Sequence, residues 1–230
     1  MSDESIHEPR PNRLKTIFLV SCSVALWSWA IWAYVNNHRS VSGDDLNGLL
    51  PAAVVHCSAQ DAIGPNPVYR GEESSAFTLI EFGDYQCPFC RAAEPEISKL
   101  LFFHRGQVRY VFRNLPLSAI HPMAMQAAVL AEGAKASDHF DELHTALMKG
   151  ELNPAALGKY CSELKLDENK IMSSASAKQA VQADMQFANK LSFRGTPSFL
   201  LCGPAGKVMQ FGTVKDVDSY LTSISGFTRN

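Results

Sequence analysis

Two cysteines separated by two residues have the most specific chemistry in this sequence. They lie in Cys87-Pro88-Phe89-Cys90, which follows an apolar stretch, residues 77–82, and precedes a segment of helical composition, residues 91–103. This spacing brings both thiols to the first turn of a helix, close enough to form a disulfide. Unpaired N–H groups and the helix dipole favour a thiolate there. We therefore predict a dithiol–disulfide couple, with Cys87 as the nucleophile and Cys90 as the resolving thiol.

A zinc site is the competing interpretation of the Cys87/Cys90 spacing. Structural zinc sites use four ligands, and the sequence has no second Cys or His pair at similar spacing. Metal-ligand residue types also occur at Asp138, His139, Glu142 and His144. The two histidines are five positions apart and would face different directions on a helix, so we expect a solvated helical face. No metal site and no cofactor are predicted.

Length and charge limit the class of protein. At 230 residues, the chain can form one well-buried domain with an appendage. Its formal net charge is -2, and no basic run is interleaved with aromatic residues, so a nucleic-acid partner has no electrostatic support. The six cysteines are too scattered to resemble a small disulfide scaffold.

Residues 16–35 form an uncharged apolar run that predicts a membrane helix. Twenty residues at about 1.5 Å each span ~30 Å, the thickness of a bilayer's hydrocarbon core. Basic residues precede the run, and tryptophans crowd its far end. We predict a cytoplasmic tail (1–15), a transmembrane signal-anchor helix (16–35) and a periplasmic domain, in a single-pass protein of the cell (inner) membrane.

Three other interpretations of residues 16–35 are disfavoured. A signal peptide cut at Ser28-Trp29-Ala30 would have bulky residues around the cleavage site, and the apolar run continues past it. A lipoprotein box ending at Cys22 has too few apolar residues before it. A core helix of a soluble domain would show a polar face, which is lacking here.

The rest of the chain predicts an α/β domain at residues 73–228. Residues 36–72, rich in turn residues, are expected to be a linker or stalk with one short strand at 68–70. The helix after Cys90 joins two predicted strands into a βαβ unit, and a Gly-Pro-Ala-Gly hairpin with a final amphipathic helix forms a ββα unit. The predicted strands are 77–82, 107–113, 197–202 and 207–211, and the final helix is 216–225.

Between these two halves the sequence becomes helical. The segment is too long for a loop, so we predict a helical insertion at about residues 119–192. Its expected helices begin at His121-Pro122, at a Ser137-Asp138 cap, at an Asn153-Pro154 cap and at Ser176.

Three stretches resemble the DsbA-like thioredoxin-fold thiol:disulfide oxidoreductases, especially the membrane-anchored, BdbD-type group. They are residues 80–91, 111–117 and 195–199, in the family's order, and the resemblance covers about residues 73–228. It implies a thioredoxin fold with an inserted helical domain that exchanges disulfides with exported, cysteine-containing proteins. It also implies a membrane redox partner that recycles the Cys pair, without a cofactor.

The same resemblance implies further site residues. Pro197 would follow a cis peptide bond and lie beside the Cys pair, and Glu81 would take and return the proton of Cys90. A cis bond would leave backbone groups of Thr196 free to pair with an extended client, with Pro88 and Phe89 as neighbouring substrate contacts. An ordinary trans proline starting an edge strand is the alternative for Pro197.

A carboxylate at Glu81 needs a partner if it is buried. We expect Arg109 or Arg113 on the neighbouring strand to supply it, with solvated strand-edge charges as the alternative. Three further cysteines, Cys57, Cys161 and Cys202, allow three pairings. We prefer Cys161 with Cys202, since Cys57 falls in the predicted stalk, and buried free thiols are the alternative.

The direction of thiol exchange is left open by the residue types. Topology and resemblance favour an oxidase that introduces disulfides over a reductase or isomerase of the same compartment. From other classes, a membrane-tethered metal-delivery or assembly factor could use the Cys pair as ligands for a soft ion such as Cu(I). A non-catalytic partner-binding domain is a further alternative, disfavoured because both thiols are present.

Overall fold

The computed structural model of the protein describes residues 53–224. In this part of the chain, five strands form one mixed sheet in the spatial order β1-β5-β4-β2-β3. Strands β2 and β3 are parallel, and the other neighbours are antiparallel. The strands are β1 (Ala53–Val54), β2 (Phe77–Gly83), β3 (Val108–Asn114), β4 (Ser198–Cys202) and β5 (Val208–Phe211). The sheet confirms the thioredoxin-like α/β fold.

Eight α-helices connect the strands within the described residues. Helix α2 joins β2 to β3, five helices lie between β3 and β4 where the insertion was predicted, and α8 follows β5. They are α1 (Ala59–Ile63), α2 (Pro88–Phe103), α3 (Ala124–Ala134), α4 (Phe140–Lys149), α5 (Pro154–Glu163), α6 (Glu168–Ser173), α7 (Ala175–Lys190) and α8 (Val214–Ser223). Short helix α6 was not predicted from the sequence.

The sheet separates two hydrophobic clusters because side chains alternate between its faces. On the front face, residues such as Leu79 and Tyr110 pack with α2, α8 and insertion helices α3, α4 and α5. On the back face, residues such as Ile80 and Cys202 pack with Ala62 of α1 and the end of α7. Every residue of β2 is buried, as its apolar run indicated.

Of two predicted helix caps in the insertion, the structure confirms one and corrects the other. The Asn153 side chain accepts a hydrogen bond from the Ala156 N–H at 2.9 Å, which confirms the predicted start of α5. The Ser137-Asp138 cap is wrong, since Asp138 has a left-handed φ of 54° and α4 begins only at Phe140. A short polar residue tolerates that conformation, and here Asp138 separates two helical segments.

The prediction of a stalk does not hold for residues 53–72. Strand β1 pairs with β5, and α1 is capped by Ser58, whose Oγ accepts the Asp61 N–H at 3.0 Å. The predicted strand at 68–70 reduces to one bridge between Arg70 and Tyr110. These residues complete the sheet and cover its back face, so they belong to the folded domain.

The predicted cytoplasmic tail, membrane helix and remaining stalk, residues 1–52, lie outside the described residues. Within residues 53–224, none of the helices has the length and apolar character needed to cross a bilayer.

Candidate active site

The Cys pair lies where β2 passes into α2. Cys87 is the N-cap residue of α2, and Pro88 occupies the first helical turn, where its missing N–H costs nothing. The Cys87 N–H donates to the Asp84 carbonyl at 3.0 Å, and the Cys87 carbonyl accepts from the Arg91 N–H at 3.1 Å. The structure therefore places Cys87 at a helix N-terminus, as predicted.

A buried carboxylate, Asp84, holds the loop that presents Cys87. Its Oδ1 accepts the Gln86 N–H at 2.7 Å, while Oδ2 accepts the Leu117 N–H at 2.8 Å and lies 2.8 Å from His121 Nδ1. Asp84 thus fastens the active-site loop to the start of the insertion. The sequence reasoning missed this role, although an Asp bonding the backbone two residues on is a recognisable turn signal.

The loop before β4 approaches Cys87 from the opposite side. The Thr196–Pro197 peptide bond is cis, as the resemblance implied. The Cys87 Sγ–H donates to the Thr196 carbonyl at 3.4 Å. The structure therefore brings Thr196 and Pro197 together with the predicted nucleophile.

The second cysteine has a different environment. Cys90 has no exposed surface, and its Sγ accepts a hydrogen bond from the Asp84 N–H at 3.4 Å. Burial, followed by the charge of Glu81, raises the pKa of Cys90 far above that of a free thiol. At neutral pH this sulfur is a thiol and needs a base before it can attack.

Glu81 lies on the front face of β2, beneath the Cys pair. The Tyr110 hydroxyl donates to Glu81 Oε2 at 2.7 Å. Burial raises the pKa of Glu81 to about 8, although the hydrogen bond from Tyr110 opposes the shift. The other oxygen, Oε1, is buried without a hydrogen-bond partner among the described residues, and burial and then the charge of Glu81 raise the pKa of the neighbouring Cys90 thiol. A group that ionises near pH 8 beside a buried thiol can exchange a proton with it.

The expected pairing of Glu81 with Arg109 or Arg113 is wrong. Glu81 lies opposite Phe112 in the β2–β3 register, so both arginines project from the other face of the sheet. Arg109 donates to Thr78 Oγ1 at 3.0 Å, and Arg113 forms an ion pair with Asp184 at 2.7 Å. The partner of Glu81 is neutral Tyr110, which leaves the carboxyl with its raised pKa.

A second carboxylate, Glu94 of α2, is held in the opposite protonation state. Its Oε1 lies 2.5 Å from Arg70 Nη1, and its Oε2 lies 3.7 Å from His144 Nε2. Burial alone would raise the pKa of Glu94, but His144 and Arg70 together lower it to about 2. Because Glu94 stays charged, it adds to the cost of ionising Glu81.

His144 belongs to this buried network rather than to a solvated face. It is 1% exposed, and its Nδ1 shares a hydrogen bond of 3.0 Å with the Tyr85 hydroxyl. The expectation of a solvated helical face is therefore wrong for this residue. The signal was available, since His144 continues the buried 3–4 residue spacing of Phe140, Leu143 and Leu147.

Apolar surface is exposed beside these groups. Phe89, which lies with Pro88 between the two cysteines in sequence, is 71% exposed, and Ile120 is 70% exposed. Ile120 precedes His121, which contacts Asp84 below the active-site loop. No cluster of three or more His, Cys, Asp or Glu side chains suited to a metal ion occurs within residues 53–224.

Comparison with known sequences assigns the family. A family model described as Thioredoxin matches residues 64–213. The chain belongs to the thioredoxin family. Among solved structures, a thioredoxin-like oxidoreductase from Silicibacter pomeroyi DSS-3 has a TM-score of 0.62 and 27% identity, over 72% of this chain and 96% of that one. BdbD from Bacillus subtilis has a TM-score of 0.58 and 23% identity, over 70% and 92% of the two chains. The resemblance to DsbA-like proteins is thereby confirmed.

Sequence relatives place this thioredoxin-family domain within longer proteins. Na(+)/H(+) antiporter NhaA 3 of Salinispora tropica is 29% identical over 210 residues, which are 88% of this chain and 32% of the antiporter. The chain spans about a third or less of the antiporters that it matches. The antiporter name therefore describes proteins with much additional sequence.

Proposed function

We propose that this thioredoxin-family protein is a thiol:disulfide oxidoreductase that introduces disulfides into exported, cysteine-containing proteins. The observation that carries the proposal is the unequal setting of the two thiols. Both thiols are buried, but Cys87 is the N-cap residue of α2 and contacts the cis-proline loop, whereas Cys90 lies beside a proton-exchanging carboxyl. Such a pair can release one sulfur readily and return the other to the disulfide.

The exchange starts from the Cys87–Cys90 disulfide. A client thiolate attacks Cys87 Sγ, the S–S bond breaks, and Cys90 leaves as a thiolate that takes a proton from Glu81. A second client thiolate then attacks the client sulfur of the mixed disulfide and releases Cys87 as a thiolate at the helix end. The client loses two electrons, and the Cys pair gains them.

The surroundings of Cys87 would bind the client. The segment that enters the cis bond at Thr196 offers backbone groups for an extended chain, and exposed Phe89 offers apolar contact. Main-chain pairing of this kind tolerates many client sequences, which suits an enzyme that acts on diverse proteins.

The location and redox partner extend the same proposal. The apolar run at residues 16–35 would anchor the protein in the cell membrane, with the thioredoxin domain on the periplasmic side. A membrane redox protein would then reoxidise Cys87 and Cys90 after each cycle. This arrangement supports the oxidase direction, because exported proteins acquire disulfides on that side.

Trapping of covalent client adducts tests the exchange reaction. In the Cys90→Ala variant the mixed disulfide on Cys87 cannot be resolved internally, so exported proteins should accumulate as adducts cleared by reductant. The matched Cys87→Ala variant retains the buried thiol and should give none. Equal adducts in both variants would contradict the assignment of Cys87 as the nucleophile.

The equilibrium potential of the Cys pair against glutathione tests the direction. An oxidase requires a couple well above that of thioredoxin, which lies at about -270 mV. A measured potential below about -250 mV would overturn the oxidase assignment while leaving thiol exchange intact.

A further inference from the structure

Two cysteines outside the active site, Cys57 and Cys202, lie on the back face of the sheet. The Val55 N–H donates to the Val208 carbonyl at 3.0 Å, which extends the β1–β5 pairing by one residue. Val208 in turn lies opposite Cys202 in the β5–β4 register. Side chains directly opposite each other share a face, so Val55, Val208 and Cys202 form one row across the back of the sheet.

The chain turns off the sheet edge at Cys57 and crosses this row. The Cys57 N–H donates to the Val55 carbonyl at 3.1 Å, which closes a tight turn. Helix α1 follows at once and packs against β4 and β2. Cys57 therefore occupies the crossing from the edge strand β1 towards β4, the strand that carries Cys202.

Packing brings Cys57 and Cys202 into the same hydrophobic cluster. Cys57 is half-buried against the back-face cluster that includes Cys202, which is 4% exposed. Burial and then the neighbouring Cys57 thiol raise the pKa of Cys202 to about 12.

The pairing of Cys202 with Cys161 that the sequence favoured does not fit the structure. Cys161 of α5 is buried in the front-face cluster, while Cys202 faces the back of the sheet. The sheet itself lies between the two thiols, so their bonding would require refolding.

We propose that Cys57 and Cys202 form a second disulfide that fastens the β1–α1 segment to strand β4 in oxidising surroundings. Low-molecular-weight disulfides, such as oxidised glutathione, would supply the oxidant. The half-buried Cys57 thiolate attacks glutathione disulfide and releases one glutathione. Cys202 then attacks Cys57 Sγ and releases the second. Two protein thiols lose two protons and two electrons, one S–S bond forms, and one glutathione disulfide becomes two thiols.

This bond would secure the segment that completes the back face. The carbonyls of Asp61 and Ala62 in α1 accept hydrogen bonds from Arg113 Nη1 at 2.8 and 3.0 Å. Residues 53–63 also follow directly from the part of the chain that was predicted to emerge from a membrane. A covalent link to β4 would keep α1 packed against the sheet. The role of this cysteine pair would therefore be structural, whereas that of Cys87 and Cys90 is catalytic.

Peptide mapping of the full chain, held in detergent, tests the pairing. The protein is incubated with oxidised glutathione or with dithiothreitol, alkylated under denaturing conditions and digested with trypsin. The cysteines concerned fall in four tryptic peptides. Cys57 lies in residues 40–70, Cys161 in 160–165 and Cys202 in 195–207, while Cys87 and Cys90 share residues 71–91. We expect peptides 40–70 and 195–207 to be joined after oxidation and separate after reduction.

The catalytic couple provides the internal control for oxidation. If peptide 71–91 carries its internal disulfide while Cys57 and Cys202 are both fully alkylated, the proposal is overturned. A bond between peptides 160–165 and 195–207 would overturn it equally.

Thermal unfolding supplies a second, independent readout. Cys57→Ala should melt about 5 °C or more below the wild-type chain after oxidation, and this difference should vanish in dithiothreitol. Cys161→Ala is the matched control, because any loss of packing there should be the same under both conditions. If Cys57→Ala lowers the melting temperature equally with and without reductant, Cys57 contributes packing alone and the proposal fails.

Discussion

At the scale of single residues, the site depends on two carboxyls that occupy opposite protonation states within one buried region. Glu94 is held charged by Arg70 and His144, whereas Glu81 accepts a hydrogen bond from the neutral Tyr110 hydroxyl and leaves its other oxygen without a partner within residues 53–224. Burial, aided by the charge on Glu94, raises the pKa of Glu81 and keeps a proton on it at neutral pH. That proton is what a departing Cys90 thiolate needs.

Replacing Glu81 by Gln should slow the step in which Cys90 leaves or attacks. The amide keeps the shape and can accept from Tyr110, but it cannot exchange a proton with the thiol. We expect the resolution of a preformed mixed disulfide to slow by about 100-fold, the typical contribution of a general acid or base. Single-turnover mixing measures this rate. The alkylation rate of Cys87 serves as the control and should change little.

The same substitution should alter the pH dependence of stability. The pKa of Glu81 is about 8 in the folded state and ordinary in the unfolded state, so the folded protein binds more protons between pH 4.5 and 8. This contribution to stability is complete below about pH 4.5 and is lost progressively as the pH rises to 8, by about 5 kcal/mol in total. Urea unfolding of the reduced protein between pH 5 and 8.5 should show a shallower decline for Glu81→Gln. Parallel curves for the two proteins would refute the buried, neutral acid.

At the scale of secondary-structure elements, Arg91 joins the active-site helix to the insertion. Its Nη1 and Nη2 donate to the carbonyls of Gly150 and Leu147 at 2.9 Å, at the C-terminal end of α4. Its Nε donates to the Tyr85 carbonyl at 2.7 Å, in the loop before Cys87. One guanidinium thus satisfies free carbonyls of a helix end and fixes α4 against the catalytic loop.

Arg91→Ala should therefore loosen α4 and lower stability. We expect a decrease of about 2 to 3 kcal/mol in the free energy of unfolding, because three charge-assisted hydrogen bonds are lost. Amide hydrogen exchange should accelerate in α4 more than in β2. Lys159→Ala is the control, since its exposed i,i+4 ion pair with Glu163 should contribute less than about 0.5 kcal/mol. Uniform acceleration across the domain would argue against a local role for Arg91.

The sequence alone predicted correctly those elements whose structure depends on residues adjacent in the chain. Strand β2, the start of α2 at the Cys pair and the Asn153 cap depend on residues adjacent in sequence, and all three are present. The partner of Glu81 was predicted wrongly because it depends on which face of β2 meets which face of β3. That register is set by pairing between distant segments. A shift of one residue would turn each β3 side chain to the opposite face, so that Arg113 rather than Tyr110 would share a face with Glu81.

At the scale of the whole molecule, the same limitation explains the misplaced domain boundary. Residues 53–72 contain many turn residues and little periodicity, which predicted a linker. Their contribution is long-range: an edge strand on β5, the burial of Ala62 and two carbonyls for the buried Arg113. None of these contacts leaves a pattern in the local sequence, although Ser58 followed by Asp61 did offer a helix cap.

The domain boundary can be tested with two fragments that differ only at their N-terminus. A fragment of residues 49–230 retains β1 and α1, whereas one of residues 73–230 removes both, together with the two carbonyls that accept hydrogen bonds from Arg113 Nη1. We expect the shorter fragment to lose about 3 to 5 kcal/mol of unfolding free energy, measured by urea denaturation under reducing conditions. Reduction ensures that no disulfide contributes to the difference. Equal urea midpoints for the two fragments would restore residues 53–72 to the role of a linker, since a segment that completes a hydrophobic face cannot be removed without cost.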